Sequence, residues 1–236
     1  MTFSLSTRGV RRPRSTGRRG SVAGLLLLGL LTGCATGTTT GAASSPVRIV
    51  GPTSDFHGVW LDQPLPQPDV TLTDTSGKPF SLRTGTAGRL TLTYFGYTHC
   101  PDICPTTMAD LSAALRQLTP ADRKRIAVVF VTTDPDRDTP EVIRSWLASF
   151  DKSFIGLTGD YAKIRAAART VGIGLEQPAS KSGDYEVTHG AQVIAFDDTH
   201  RARLIFTSGT SPSDYAADLP RLLARVTLNG TAEGES

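Results

Sequence analysis

The chain has 236 residues, 39% of them hydrophobic and 20% charged, a composition that fits an ordinary globular body of one domain or two. Its net charge of +3 comes from 25 basic and 22 acidic side chains, but residues 1–33 hold six arginines and no acid, leaving 19 basic against 22 acidic residues beyond. A mildly acidic body argues against nucleic-acid binding, and three cysteines are too few for a disulfide framework.

Residues 1–33 have the parts of an export signal: an arginine-rich start, an apolar run from Val22 to Leu31, then Thr32 and Gly33. The run is about ten residues, short of the roughly 17–25 that a membrane span needs. Leu31-Thr32-Gly33-Cys34 resembles a bacterial lipobox, so Cys34 is the expected site of lipidation and the expected first residue after cleavage. A plain signal peptide with an unmodified cysteine, or a short uncleaved anchor, is the alternative. Residues 34–58 read as a flexible tether and approach segment, Gly/Ser/Thr-rich from Ala35 to Pro46. Two acyl chains on one cysteine anchor durably, which places the body on the outer side of the cell membrane, facing periplasm or cell wall, where disulfides persist. The body is expected over residues 59–228, with 229–236 as a tail.

Within the body, Arg48 to Pro68 is rich in Pro and Gly and reads as extended approach. Val70–Thr73 and Phe80–Leu82 flank the turn chemistry of Asp74-Thr75-Ser76-Gly77 and predict a hairpin. Leu90–Phe95 predicts a buried strand ending at Gly96. Pro105 opens a helix whose apolar face is Met108, Leu111, Leu115 and Leu118, stopped by Thr119-Pro120. Ile126–Val131 is β-branched and predicts a central strand. Asp138-Thr139-Pro140-Glu141 starts a helix to Phe150; Phe154–Leu157 is a short strand, and Asp160 caps a helix through Val171. Gly172–Val187 is a loop long enough to be functional. Gln192–Phe196 and Arg203–Phe206 are strands joined by Asp197-Asp198, and Ser213–Val226 is a closing helix. The order predicts an α/β, thioredoxin-like fold with a leading β-hairpin and insertions, its central, mostly parallel sheet flanked by helices.

Cys100 and Cys104 lie in Gly96-Tyr97-Thr98-His99-Cys100-Pro101-Asp102-Ile103-Cys104-Pro105, between a buried strand and a helix start. Cysteines at this spacing place both sulfurs on one side of the first turn, where the helix terminus favours thiolate. Such a pair closes to a disulfide or binds a soft ion such as Cu(I); a permanent inert bridge is the bland alternative. A third ligand would come from one of four histidines. His57 and His200 fit surface positions, His99 fits packing or hydrogen bonding, and His189 ends the long loop directly before a strand. Spacing leaves that choice open. Met108 sits in the apolar stripe and reads as core.

The stretch Tyr94–Thr107, with Thr133-Asp134-Pro135-Asp136-Arg137-Asp138-Thr139-Pro140-Glu141, Phe154–Gly159, Tyr185–His189 and Ser213-Asp214-Tyr215, closely resembles the Sco/SenC family in one collinear order from about residue 60 to 226. The resemblance implies a copper protein assisting assembly of the binuclear copper centre of cytochrome c oxidase. It maps the copper ligands, for Cu(I) and Cu(II), onto Cys100, Cys104 and His189, and gives Asp134 a supporting or partner-docking role. Relatives often carry an acid before the histidine and Ser or Thr after it; this chain has Thr188 and Gly190.

Two functions remain open at this point. One is a membrane-tethered copper metallochaperone whose partner is the copper-bearing oxidase subunit, with other copper chaperones or thiol reductants as further partners. The other is a thiol-disulfide reductase keeping the oxidase cysteines reduced, with Cys100 and Cys104 as its redox pair, a disulfide when oxidised. A thiol peroxidase fits the paired motif poorly.

Overall fold

Leu90–Gly96 (β4) and Ile126–Thr132 (β5) carry no charge, are rich in β-branched and aromatic residues, and are buried along their whole length. They pair in parallel at the centre of one sheet in a computed structural model that describes residues 55–178, 180–182 and 185–232. The expected export leader, Cys34, nearly all of the expected tether and Gly183 lie outside the described residues. The other strands are β1 (Val59–Pro66), β2 (Thr71–Asp74), β3 (Pro79–Ser81), β6 (Ile155–Thr158), β7 (Val193–Phe196) and β8 (Arg201–Phe206). Their order across the sheet is β1-β8-β7-β4-β5-β6-β2-β3. Parallel pairing is confined to β4, β5 and β6, and every other neighbour is antiparallel. The sheet is therefore mixed, with the expected parallel character at its centre.

Strand periodicity divides the core. Leu90, Leu92 and Tyr94 of β4 and Val128 and Phe130 of β5 face one side. There they meet α1 (Ile103–Gln117), α3 (Pro140–Leu147) and α5 (Pro212–Ala232). Phe95, Val129 and Val131 face the other, against the β2–β3 hairpin and Ile164, Ala167 and Ala168 of α4 (Tyr161–Thr170). Phe130 lies 6.4 Å from the Tyr94 ring and 5.0 Å from that of Trp146, and its truncation to Ala would cost about 3–5 kcal/mol. Met108 is fully buried in the first cluster, as its place in the stripe required.

Four local expectations change. Helix α1 begins at Ile103, so Pro105 occupies its first turn, where no intrahelical partner for its missing N–H is needed. Thr119-Pro120 starts a short helix, α2 (Pro120–Lys124), besides ending α1: the Thr119 hydroxyl accepts from the Asp122 amide at 3.1 Å. Arg48–Pro68 conceals β1, which pairs with β8 at the sheet edge across a register shift between Trp60 and Leu65; an edge strand tolerates Pro64 and Pro66. Helix α5 runs past Val226 to Ala232. Among the described residues no helix is long and apolar enough to cross a membrane.

Candidate metal centre

Three segments meet at the C-terminal end of β4. The chain leaves Gly96 through Tyr97–Asp102 and enters α1, so Cys100 precedes the helix and Cys104 lies in its first turn. The Cys104 amide, one of the orphan donors of a helix start, points at Cys100 Sγ from 3.4 Å, and the Cys100 amide donates to Tyr97 O at 3.3 Å. Close approach here needs Gly96. A Cβ on it would stand 2.6 Å from Tyr94 Cε1 and 2.8 Å from Cys104 Sγ.

His189 comes from the segment ahead of β7. The Gly190 amide donates to Phe95 O at 3.0 Å, registering that segment on the end of β4. The His189 Nδ1–H donates to Gly190 O at 2.7 Å, which leaves Nε2 as the bare nitrogen, 3.8 Å from Cys100 Sγ. A backbone carbonyl thus orients the ring. One ligand atom from each of Cys100, Cys104 and His189 lies within 4.8 Å of the other two. Both cysteines are free thiols and buried.

Burial pushes the Cys104 thiol up to about 12, opposed by a hydrogen bond from the Tyr94 hydroxyl at 3.5 Å. At neutral pH Cys104 therefore holds its proton until something replaces it. Two sulfurs and one imidazole nitrogen, with no carboxylate in the set, suit a soft or borderline ion and not a hard, oxygen-seeking one.

Asp134 is not in the ligand set. It is buried, paired with the Arg137 guanidinium, and it accepts from the Tyr185 hydroxyl at 3.1 Å. Of the other histidines, His99 hydrogen-bonds through Nδ1 to the Thr98 hydroxyl at 3.2 Å, and His200 through Nδ1 to Gln67 Oε1 at 2.6 Å. His57 is exposed, as expected of a surface position, and its Nδ1 lies 3.0 Å from Asp218 Oδ1 of α5.

One residue that shapes the site was read only as a helix start. Thr139 caps α3, as the residue before Pro140 should. Asp138 is fully buried and accepts from the Thr98 amide at 3.0 Å, the Thr98 hydroxyl at 2.6 Å and the Thr132 hydroxyl at 2.6 Å. It ties the turn leading to Cys100 to the end of β5. Its sequence signal, an acid after an arginine and before Thr-Pro, is identical to that of a cap.

The fold and this cluster define a thioredoxin-like protein with Cys, Cys and His donors that suit a soft metal. The chain belongs to the SCO1/SenC family, whose model matches residues 62–224. A putative copper-binding protein of Stutzerimonas stutzeri is 35% identical over 126 residues, covering 53% of this chain and 61% of the relative. Mitochondrial SCO2 of Saccharomyces cerevisiae is 36% identical over 120 residues, covering 50% and 40%. Matches to these relatives thus span less than two thirds of their lengths. Among solved structures, Bradyrhizobium japonicum ScoI with copper bound superposes with a TM-score of 0.58 at 35% identity, over 68% of this chain and 98% of that one. Apo Sco1 of Thermus thermophilus gives 0.61 at 34%, over 75% and 99%.

Proposed function

We propose that this chain is a membrane-tethered, extracytoplasmic copper metallochaperone. It binds copper through Cys100, Cys104 and His189 and assists assembly of the binuclear copper centre of cytochrome c oxidase. The observation that carries the reading is the convergence of two free thiols and an imidazole nitrogen within 4.8 Å of one another. The copper-binding description of one relative and the copper-bound structure of another support the metal. Reduced thiolates hold Cu(I), and the imidazole completes a site for Cu(II). The oxidase subunit that carries the copper centre is the proposed recipient. Residues 1–33 act as the signal peptide, Cys34 carries the lipid, residues 34–58 are the tether, residues 59–228 form the working body and 229–236 its tail; the lipobox sequence supports the anchor.

The deciding experiment is metal content and the Cu(II) spectrum of reduced protein. One copper per chain and a sulfur-to-copper charge-transfer band are expected. His189→Ala should keep Cu(I) and weaken Cu(II), whereas a full-strength band in Cys100→Ser/Cys104→Ser would sink the assignment. Copper binding and a Cys100–Cys104 disulfide should exclude each other, because a disulfide sulfur is a poor ligand. For the anchor, Cys34→Ser should release the protein from membranes or leave it unprocessed.

The reductase reading draws on one observation: the two thiols differ in access, Cys104 being fully enclosed and Cys100 slightly open. That asymmetry suits an attacking and a resolving thiol. A reductase would keep its activity in His189→Ala; a copper carrier would not keep its Cu(II) site.

A further inference from the structure

Between Gly172 and Val193 the described residues form neither helix nor strand, so the third donor sits on irregular backbone that meets the sheet through the Gly190 amide. One side chain grips it from outside. Arg137, on the turn after β5, pairs through Nε with Asp134 and donates from Nη2 to the backbone carbonyl of Tyr185 at 2.9 Å. Its guanidinium lies over the Tyr185 ring, 3.6 Å from Cζ to the centroid, and 5.8 Å from the centroid of Tyr97. The Tyr97 ring in turn packs against the His189 imidazole at 5.4 Å. Asp134 closes the arrangement by accepting from the Tyr185 hydroxyl.

We infer that Arg137 is the positioning residue for the third donor: its guanidinium clips the segment bearing His189 to the Asp134–Asp138 turn and fixes whether the site offers three donors or two. The inference rests on the copper reading of the site. Only a guanidinium does all of this at once, since its planar fork gives one donor to a carboxylate, another to a carbonyl, and a flat face to an aromatic ring. A lysine is a single point charge. The cysteines hang from the β4–α1 turn and α1, which meet the clip only at the Tyr97 ring, so its loss should strip the imidazole and leave the dithiolate.

The test uses the full chain carrying Cys34→Ser, so that Cys100 and Cys104 are the only thiols, with Cu(I) and Cu(II) as probes. Arg137→Gln should lower Cu(II) affinity by about tenfold or more, the range for removing an orienting group behind a ligand, and keep Cu(I) affinity within about threefold. Pulsed electron paramagnetic resonance of the Cu(II) form should lose the remote-nitrogen signal of a bound imidazole, as in His189→Ala. The double variant Arg137→Gln/His189→Ala should be no weaker than His189→Ala alone, because the two act through one contact. Arg137→Lys should not restore the nitrogen signal. If Arg137→Gln misfolds because Asp134 is left as an unpaired buried charge, Arg137→Gln/Asp134→Asn removes that charge and carries the same expectation. An unchanged nitrogen signal, or losses that add in full, overturns the inference. Absence of the nitrogen signal in the protein with Arg137 intact overturns the copper reading, and the inference with it.

Discussion

The Tyr94 hydroxyl donates to Cys104 Sγ across 3.5 Å, at a place where neither side chain is reached by solvent. Metal loading must displace a proton that burial holds on Cys104 up to about 12. Affinity for Cu(I), corrected for the competing chelator, should rise about tenfold per pH unit for this proton alone. Tyr94→Phe removes a donor to the thiolate and should weaken Cu(I) binding at any fixed pH while leaving the fold intact. A competition titration across pH checks both, and a flat profile would refute the claim. Because burial disfavours the thiolate, the metal-free fold should lose stability as pH climbs from the ordinary thiol value of 9.0 towards about 12.

Gly96→Ala and Gly190→Ser should part company. The added Cβ at Gly96 meets Tyr94, Cys104 and Phe130 at 2.6, 2.8 and 3.2 Å, all fully buried, and should cost about 1–3 kcal/mol along with metal binding. At Gly190 the nearest atom, at 2.9 Å, is Ile173 Cδ1, the free end of a flexible chain that can swing aside. Gly190→Ser should therefore change chemical-denaturation midpoints little. Equal losses in both would contradict the packing described.

Asp138→Ala should loosen the turn ahead of Cys100. It leaves the Thr98 amide and the hydroxyls of Thr98 and Thr132 without their acceptor, and hydrogen bonds to a charged group are worth about 1.5–3 kcal/mol each. Faster alkylation of Cys100 and a lower melting temperature are expected. Unaltered thiol reactivity would show that the turn is held some other way.

Beside the start of edge strand β1, Asp218 accepts from the His57 and Gly58 amides at 2.8 and 2.9 Å and from the His57 imidazole. That hydrogen bond, helped by the charges of Asp218 and Asp214, raises the His57 pKa above 6.5, against opposition from Arg221. A raised imidazole stabilises the fold below its ordinary value, and the contribution disappears as pH rises through the raised one. Thermal melts should show a small loss of stability with rising pH that Asp218→Asn abolishes. A loss of the same size in Asp218→Asn would assign it elsewhere.

The sequence announced the central strands because β4 and β5 are uncharged runs, and it announced α4 because Asp160 is an unambiguous cap. It concealed β1, since a proline-studded edge strand looks like coil until its partner β8 is known. It misplaced the start of α1 because Pro105 serves equally as a first residue or as a member of the first turn. The dithiol was legible from spacing; the imidazole was one of four until the family resemblance singled out His189. Arg137 and Asp138 passed as ordinary residues of a turn and a helix start. Their contacts reach Tyr185 and Thr98, 48 and 40 positions away, and no local pattern encodes such a distance.

The position of β7 between β4 and β8 also predicts an order in which the site is acquired. Cys100 and Cys104 come together as soon as β4 and α1 form a local unit. The imidazole waits for β7 to insert, and its contact with Cys100 spans 89 positions of chain. A half-folded chain is thus expected to offer soft ions two sulfurs first, the third donor arriving with the finished topology.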